Sequence, residues 1–511
     1  MDNPNFGAVF NRAVTLFPDK VAILQRDISL TYTQLASRTR QVATLLSSVG
    51  VTRGDNVLML LPNDYRFAEC LCGILHTGAL AVPVNIKVGM DTLRYIAAHS
   101  DARVLIGHAD LHEQIADLRT TVPALKHIFV IDDTQTDAES YDQRLMEMPS
   151  DFAAVAINRK DPALLMYTSG STGRPKGCLR SHDSEWWETR KSARVMMLDD
   201  YDRSLIVGPL YHANALWGCM LPMLYLGGSM AILPGFDPVT VLAAIDRYRP
   251  TYMTGTPSMF SLLLAQRDAL ARYEVSSIEL LCCGSAPVPA ELLAAMIRQF
   301  HCEVIEGYGL TEGGAMVFTP RWGIKKLGSC GLPVPGAEVR LVDAEGANRE
   351  CALGEVGELW TRSPANALGY YKQPEVTAEK FTADGWLRTG DLLKQDEQGY
   401  LYFCGRKDDM INCGGENVYP KEVENTLLTH PDIDDVCVVP VVHGVKGQAP
   451  AAWVVLRANR QLTEDEVKQY FLARGPAYAH PRRVFFIDRL PVSGTNKVDR
   501  KGLTEEARRR M

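Results

Sequence analysis

The stretch Thr168-Ser169-Gly170-Ser171-Thr172-Gly173-Arg174-Pro175-Lys176-Gly177 decides how the rest of the chain is read. It strings hydroxyls and glycines together and closes them with one lysine. Glycines let backbone N–H groups converge on an anion, hydroxyls donate further hydrogen bonds, and the Lys176 ammonium adds a point charge. These are the groups needed to hold a polyphosphate. A Walker loop requires G-x-x-x-x-G-K followed by Ser or Thr. Here the glycines are spaced differently and Gly177 follows the lysine, which argues against a kinase or ATPase of that type.

Outward from this loop the chain alternates strand and helix signals. Residues 21–24 and 28–32 read as a hairpin, and Thr33 as the cap of an amphipathic helix running towards Gly50, with Leu35, Val42, Leu45 and Leu46 on one side. Residues 57–61 and 81–84 read as buried strands around a helix at 65–76. Such alternation predicts an α/β fold with mostly parallel sheets covered on both faces, and the rhythm returns over 163–320. Between 328 and 402 short strands at 337–342 and 357–360, punctuated by Gly and Pro, predict a small antiparallel or barrel-like unit. Alternation restarts after Arg406: helices at 421–428 and 463–472, strands at 436–439, 452–456 and 484–487. The division predicted is a large domain over 1–407, with parts at about 1–160, 161–327 and 328–405, and a small α/β domain over 408–511. The tail Arg508-Arg509-Arg510 reads as a solvated end.

Composition narrows the class. The 511 residues are 46% hydrophobic and 23% charged, as in ordinary globular proteins, and the formal charge of −7 speaks against a nucleic-acid surface. No apolar run approaches the roughly 20 residues of a membrane span, and the start Met1-Asp2-Asn3-Pro4 lacks a basic segment followed by an apolar one; a cytoplasmic chain is expected. Most of the 12 cysteines sit in apolar runs, as at Cys70, Cys72, Cys282, Cys283 and Cys437, without paired C-x-x-C knuckles. They read as buried reduced thiols, with no zinc site expected.

Further segments follow in a fixed order. They are Tyr211-His212-Ala213-Asn214, Gly284-Ser285-Ala286-Pro287, Glu306-Gly307-Tyr308-Gly309-Leu310-Thr311-Glu312, Trp386-Leu387-Arg388-Thr389-Gly390-Asp391, Gly405-Arg406-Lys407-Asp408, Gly414-Gly415-Glu416 and Gly494-Thr495-Asn496-Lys497. Taken singly, each has a plain structural reading: a hydrogen-bonded histidine, a Gly/Pro turn, an exposed charge pair or a solvated lysine. Together, over nearly the whole chain, they resemble the adenylate-forming enzymes, which include acyl-CoA synthetases, peptide-synthetase adenylation domains and firefly-type luciferases.

The resemblance implies a role for each segment. Thr168 to Gly173 and Lys176 would grip the ATP phosphates, and His212 would lie between nucleotide and acyl pocket. Gly284 to Pro287 would flank the adenine, with Tyr308 stacked on it and Glu306, Gly307 and Gly309 beside it. Thr311 would contact the α-phosphate, and Glu312, with Thr172, would hold Mg²⁺. Asp391 would accept the ribose hydroxyls and Arg406 would also reach the nucleotide. Asp408 would be the hinge, Lys497 would bridge carboxylate and phosphate, and Gly414, Gly415 and Glu416 would face the CoA pantetheine arm. An aromatic face for a purine, a hydroxyl donor and a hard oxygen for a hard cation suit that division.

The implied activity is an AMP-forming carboxylate–CoA ligase using ATP, Mg²⁺ and CoA, and a homodimer is an expectation. The pocket wall would include Asn214, Trp217, Gly218, Thr254, Glu306, Gly313 and Gly314, mostly apolar and of little bulk, which fits an aliphatic or aryl acid. A carnitine- or crotonobetaine-type acid is an alternative, its trimethylammonium facing Trp217 or Glu306. Luciferase-like oxidation and carrier-protein acceptors use the same motifs. However, the stretch 211–217 offers no carboxylate for an amino-acid substrate, and the chain stops soon after Lys497. A non-catalytic nucleotide binder would be marked by loss of Lys176, Glu312 or Lys497, and all three are present. Two departures from the family pattern stand out: Asn496 where Gly usually precedes the lysine, and Gly235 where many plant relatives have a lysine near the CoA phosphates.

Overall fold

The computed structural model describes residues 4–132, 139–168, 174–286, 288–343, 349–413, 416–492 and 498–511. The chain divides into two compact units, one of Met1–Glu338 and Thr361–Leu387, the other of Val339–Trp360 and Arg388–Met511.

The first unit is built on two large sheets. In one, six neighbouring strands run parallel: Glu303–Leu310, Leu280–Gly284, Tyr252–Gly255, Arg203–Ile206, Ser229–Ile232 and Val21–Gln25. Antiparallel strands, Gly314–Phe318 with Leu332–Pro333 and Ile28–Thr31, finish its two edges. In the other, Pro162–Thr168, Leu80–Pro83, Asn56–Leu60, Val104–His108, His127–Ile131 and Glu139–Ser140 are parallel, and Lys176–Ser181 and Gly369–Tyr370 add an antiparallel edge. Asn56–Leu60, Leu80–Pro83 and Val104–His108 are buried at every position, as a parallel sheet covered on both faces demands. One hydrophobic cluster joins the two sheets and includes Met59, Leu71, Trp217, Tyr252 and Ile305.

The predicted hairpin and the helix after it are present, with one correction. The helix is Tyr32–Ser48 and its cap is Thr31, not Thr33. Thr31 Oγ1 accepts the Gln34 amide while the Gln34 side chain accepts the Thr31 amide, a reciprocal capping box that Thr33 has no equivalent for.

The second unit contains a four-stranded sheet, Glu338–Val342, Gly357–Arg362, Leu387–Gln395 and Leu401–Arg406, and beyond it a small α/β fold. There Ile433–His443 and Gly447–Leu456 form a hairpin longer than the predicted strands, and Arg483–Phe486 pairs parallel to the second of them. Helix Glu464–Leu472 starts from a Thr463–Glu466 capping box, and helix Pro420–Leu428 begins with its proline in the first turn, where no amide partner is needed. The basic tail is solvated, as expected: Arg508, Arg509 and Arg510 are exposed, and they form the last turn of helix Arg500–Arg510, where cations complement the helix dipole.

All 12 cysteines are free thiols and ten are buried. Among the described residues no helix is long and apolar enough to cross a membrane.

Candidate active site

Carboxyl ends of parallel strands open into the crevices where α/β sheets bind ligands. In the first sheet four adjacent strands each bring a predicted residue to that end. Tyr252–Gly255 carries Thr254, and Leu280–Gly284 leads into Ser285 and Ala286. Glu303–Leu310 carries Glu306, Gly307, Tyr308 and Gly309, and the loop after Arg203–Ile206 supplies His212 and Asn214. Gly284 and Gly307 are register partners, so close that a Cβ on Gly284 would lie 2.6 Å from the Gly307 carbonyl oxygen.

Side chains from three of these ends meet. Asn214 Nδ2 donates to Ser285 Oγ at 3.1 Å, and Thr254 Oγ1 donates to Asn214 Oδ1 at 2.5 Å. Ser285 is held at φ +67, a left-handed conformation that costs a non-glycine residue energy and recurs at functional sites. Trp217 and Gly218 lie in a π-helical turn, Leu216–Met220, and a Cβ on Gly218 would come 2.9 Å from Thr254 Cγ2. His212 flanks the short helix Ala213–Ala215, its ring tilted against Tyr211 at 5.0 Å between centroids.

Thr311, Glu312 and Gly313 make the turn between Glu303–Leu310 and the antiparallel Gly314–Phe318. Tyr370 donates its hydroxyl to Glu312 Oε1 at 2.8 Å, and the Ala367 amide donates to the Glu312 carbonyl at 2.8 Å. The Tyr370 ring centroid lies 5.5 Å from Lys176 Nζ. Lys176 is in turn the register partner of Thr168, so the two ends of the Gly/Ser/Thr stretch are fixed on paired strands. Thr168, Lys176 and Glu312 are therefore brought to one region. Ser169, Gly170, Ser171, Thr172, Gly173, Pro287, Gly414, Gly415 and Lys497 lie outside the described residues.

In the second unit Asp391 and Arg406 are register partners, with Arg406 Nη1 3.2 Å from Asp391 Oδ1. Thr389 Oγ1 accepts the Asp391 amide at 3.1 Å, and Glu358 accepts the Gly390 amide at 3.1 Å. Asp408 is exposed in the short turn Lys407–Asp409, and Glu416 opens the strand Glu416–Val418. Val492 pairs with Val498 in an isolated antiparallel bridge.

One expectation about the pocket wall is corrected. Trp217 offers no open aromatic face: it is 4% exposed, with the Arg180 guanidinium 4.2 Å from its ring centroid and its Nε1 donating to Glu185 Oε2 at 2.8 Å. A ring already covered by one cation is a poor site for a trimethylammonium group. Glu306 is buried within the sheet, its amide donating to Thr319 Oγ1 at 2.7 Å.

Sequence reasoning missed Tyr370 and four buried charges. Arg180 Nε pairs with Glu185 Oε1 at 2.5 Å, and Lys191 Nζ with Glu188 Oε1 at 2.7 Å. Burial pushes the Glu185 carboxyl up and the Lys191 ammonium down from their ordinary pKa values. The sequence signal for them was slight: Arg180 directly follows the apolar pair Cys178-Leu179.

The chain matches the family model described as "AMP-binding enzyme" over residues 10–371 and that of the "AMP-binding enzyme C-terminal domain" over 422–497. It is 34% identical to a feruloyl-CoA synthase of Amycolatopsis sp, the alignment covering 100% of both chains. It is 30% identical to a long-chain-fatty-acid–CoA ligase of Mycobacterium tuberculosis, covering 98% of each. Among solved structures it resembles the anthranilate CoA ligase AuaEII in complex with anthranoyl-AMP. There the TM-score is 0.92 at 29% identity, over 99% of this chain and 98% of the other.

Proposed function

The chain belongs to the AMP-binding enzyme family as an AMP-forming acid–CoA ligase, and from that premise we propose that it couples an aryl acid to CoA through an acyl-adenylate. The observation that carries this reading is the path of one strand. Glu303–Leu310 takes Tyr308 past Ser285 and runs straight into Thr311 and Glu312, and Tyr370 fastens Glu312 beside Lys176. An aromatic face, a hydroxyl, a carboxylate and an ammonium then follow the order adenine, α-phosphate, metal, outer phosphates.

A carboxylate is a poor electrophile because its charge repels nucleophiles. Attack on the α-phosphorus of ATP turns it into an acyl-adenylate and releases pyrophosphate. Both reactants are anions, so the site must supply positive charge where they meet. Lys176 and the amides and hydroxyls of 168–173 serve the phosphates, and Lys497 bridges the incoming carboxylate and the α-phosphate. Thr311 donates to the α-phosphate, and Asp391, steadied by Arg406, accepts the ribose hydroxyls. His212 and Asn214 stand at the acyl end. Glu312 fits a magnesium ion: it is a hard oxygen donor that is partly exposed, with Tyr370 on one oxygen, and Thr172 would add a second oxygen. When bound, Mg²⁺ neutralises phosphate charge. In the second half-reaction the CoA thiolate attacks the acyl carbon and AMP leaves, with Gly414, Gly415 and Glu416 along the pantetheine arm. One lysine serves only the first step, so movement of the 408–511 domain about Asp408 would clear it for the second.

An aryl acid is supported by the feruloyl and anthranilate ligases that the chain resembles. The Asn214–Thr254–Ser285 hydrogen bonds also line the region of the pocket with polar groups that a plain hydrocarbon would leave unused. The test is AMP and acyl-CoA formation from MgATP, CoA and a panel of cinnamic, benzoic and fatty acids, each with and without CoA. AMP and thioester appearing together for aromatic acids is the expected result. Turnover confined to fatty acids would overturn the substrate class, and pyrophosphate release without thioester would overturn CoA as acceptor.

A further inference from the structure

Arg180 and Glu188 reach the two ends of the Thr311–Ala315 turn from one short segment of chain. Arg180 is 0% exposed, and its Nη1 donates to the Thr311 carbonyl at 3.0 Å and to the Ala365 carbonyl at 2.9 Å. At the other end the Ala315 amide donates to Glu188 Oε2 at 3.3 Å. Gly314, at φ +76, permits this approach, since a Cβ there would lie 2.3 Å from the same oxygen. Glu312 sits between the two clamps. The same guanidinium covers Trp217, and Glu185 holds both partners, one oxygen on Arg180 Nε and the other on Trp217 Nε1.

We propose that Arg180 and Glu188 are positioning residues: they hold Thr311 and Glu312 in the geometry that receives MgATP, and Arg180, through Trp217, ties that turn to the π-helical segment Leu216–Met220 beside the acyl pocket. This rests on the reading of Glu312 as the metal carboxylate. The group has two cations and two anions, Arg180 with Glu185 and Lys191 with Glu188, all buried. Buried ion pairs incur a desolvation cost that well-packed apolar side chains would avoid, so stability alone gives little reason to keep them here. Apolar side chains could fill the space, but they could not hydrogen-bond a carbonyl at one end of a turn and an amide at the other. Lysine would not replace Arg180 either, because the planar fork bonds Glu185 and two carbonyls while stacking on an indole.

The test is calorimetry of ATP binding with and without Mg²⁺, which separates grip on the metal from grip on the nucleotide. The double variant Arg180→Met/Glu185→Gln removes both charges and leaves an acceptor for Trp217 Nε1. Its gain in ATP affinity on adding Mg²⁺ should shrink by about tenfold, the scale of losing charged hydrogen bonds. The KM for the acid should rise with it. Arg180→Lys, which keeps the charge, should fold even if the double variant does not and should lose part of the same gain. A folded Arg180→Lys or double variant with the full wild-type Mg²⁺ gain would overturn the proposal, provided Glu312→Gln abolishes that gain. If Glu312→Gln retains it, the metal assignment itself is overturned.

Discussion

The Tyr370 hydroxyl donates to Glu312 Oε1 at 2.8 Å, while its ring lies 5.5 Å from the Lys176 ammonium. One side chain thus fixes the carboxylate and borders the lysine, two groups separated by 136 positions in the chain. Tyr370 is placed there because Gly369–Tyr370 pairs with the strand that begins at Lys176.

Tyr370→Phe keeps the ring and its packing and removes only the hydroxyl. A hydrogen bond to a charged group contributes roughly 1.5–3 kcal/mol. The predicted result is a fall of about tenfold or more in kcat/KM for MgATP, with the unfolding temperature little changed. Unaltered MgATP kinetics would mean that Glu312 needs no orienting partner.

Gly218→Ala probes the acyl pocket. The new methyl would sit 2.9 Å from Thr254 Cγ2 and would push Thr254 away from Asn214. A methyl in such a pocket changes discrimination by about tenfold or more. Steady-state kinetics should show KM rising most for the bulkiest acid accepted by wild type and least for the smallest. An equal change for all acids would place Gly218 outside the pocket.

His182 sets an acid limit on stability. Its Nδ1 accepts the Phe6 amide at 3.0 Å, which requires a neutral nitrogen, and burial pushes its pKa down to about 4 from the ordinary 6.5. His76 is likewise pushed down by burial to about 4. Between these values the unfolded chain binds more protons than the folded one. Stability from each imidazole is therefore complete above pH 6.5 and declines as pH falls towards 4, by up to about 3 kcal/mol each. His182→Asn keeps an acceptor for the Phe6 amide and cannot take the proton. Its unfolding temperature should fall less than that of wild type over this range, and parallel pH curves would contradict the assignment.

Arg500 and Glu424 pin the final helix to the small α/β fold. Arg500 Nη2 meets Glu424 Oε1 at 2.5 Å and Arg500 Nη1 donates to the Val438 carbonyl at 2.8 Å, while Glu424 is almost fully buried. Arg500→Gln leaves that carboxylate without its main cation. The predicted loss is on the order of 3 kcal/mol, the low end for a broken buried pair because the Arg500 side chain is 33% exposed. Denaturant unfolding of the full chain measures it. A loss below about 1 kcal/mol would show the pair to be solvated.

Much of the first unit was legible in the sequence because its signals are local. Runs such as Val57–Leu60 are apolar at each position, and glycines such as Gly284 mark strand ends where backbones approach closely. The helix cap is ambiguous in the sequence because Thr31 and Thr33 are both good caps, and the deciding partner, Gln34, stands three residues after Thr31. The buried charges were not legible. Helix His182–Val195 has the polar composition of a surface helix, yet it buries Glu185, Glu188 and Lys191. Its compensating partners, Arg180 on a strand and the Ala315 amide, meet it only through tertiary packing. Tyr370 escaped for the same reason, since its target lies 58 residues away.

The central claim is that a carboxylate attacks the α-phosphorus of ATP in this site. Oxygen transfer tests it most directly. The acid accepted by the enzyme is labelled with ¹⁸O in its carboxylate and turned over with MgATP and CoA, and the products are read by mass spectrometry. Heavy oxygen in AMP, and none in pyrophosphate, is the predicted result. Heavy oxygen in pyrophosphate or inorganic phosphate with unlabelled AMP would place the attack at another phosphorus and contradict the account.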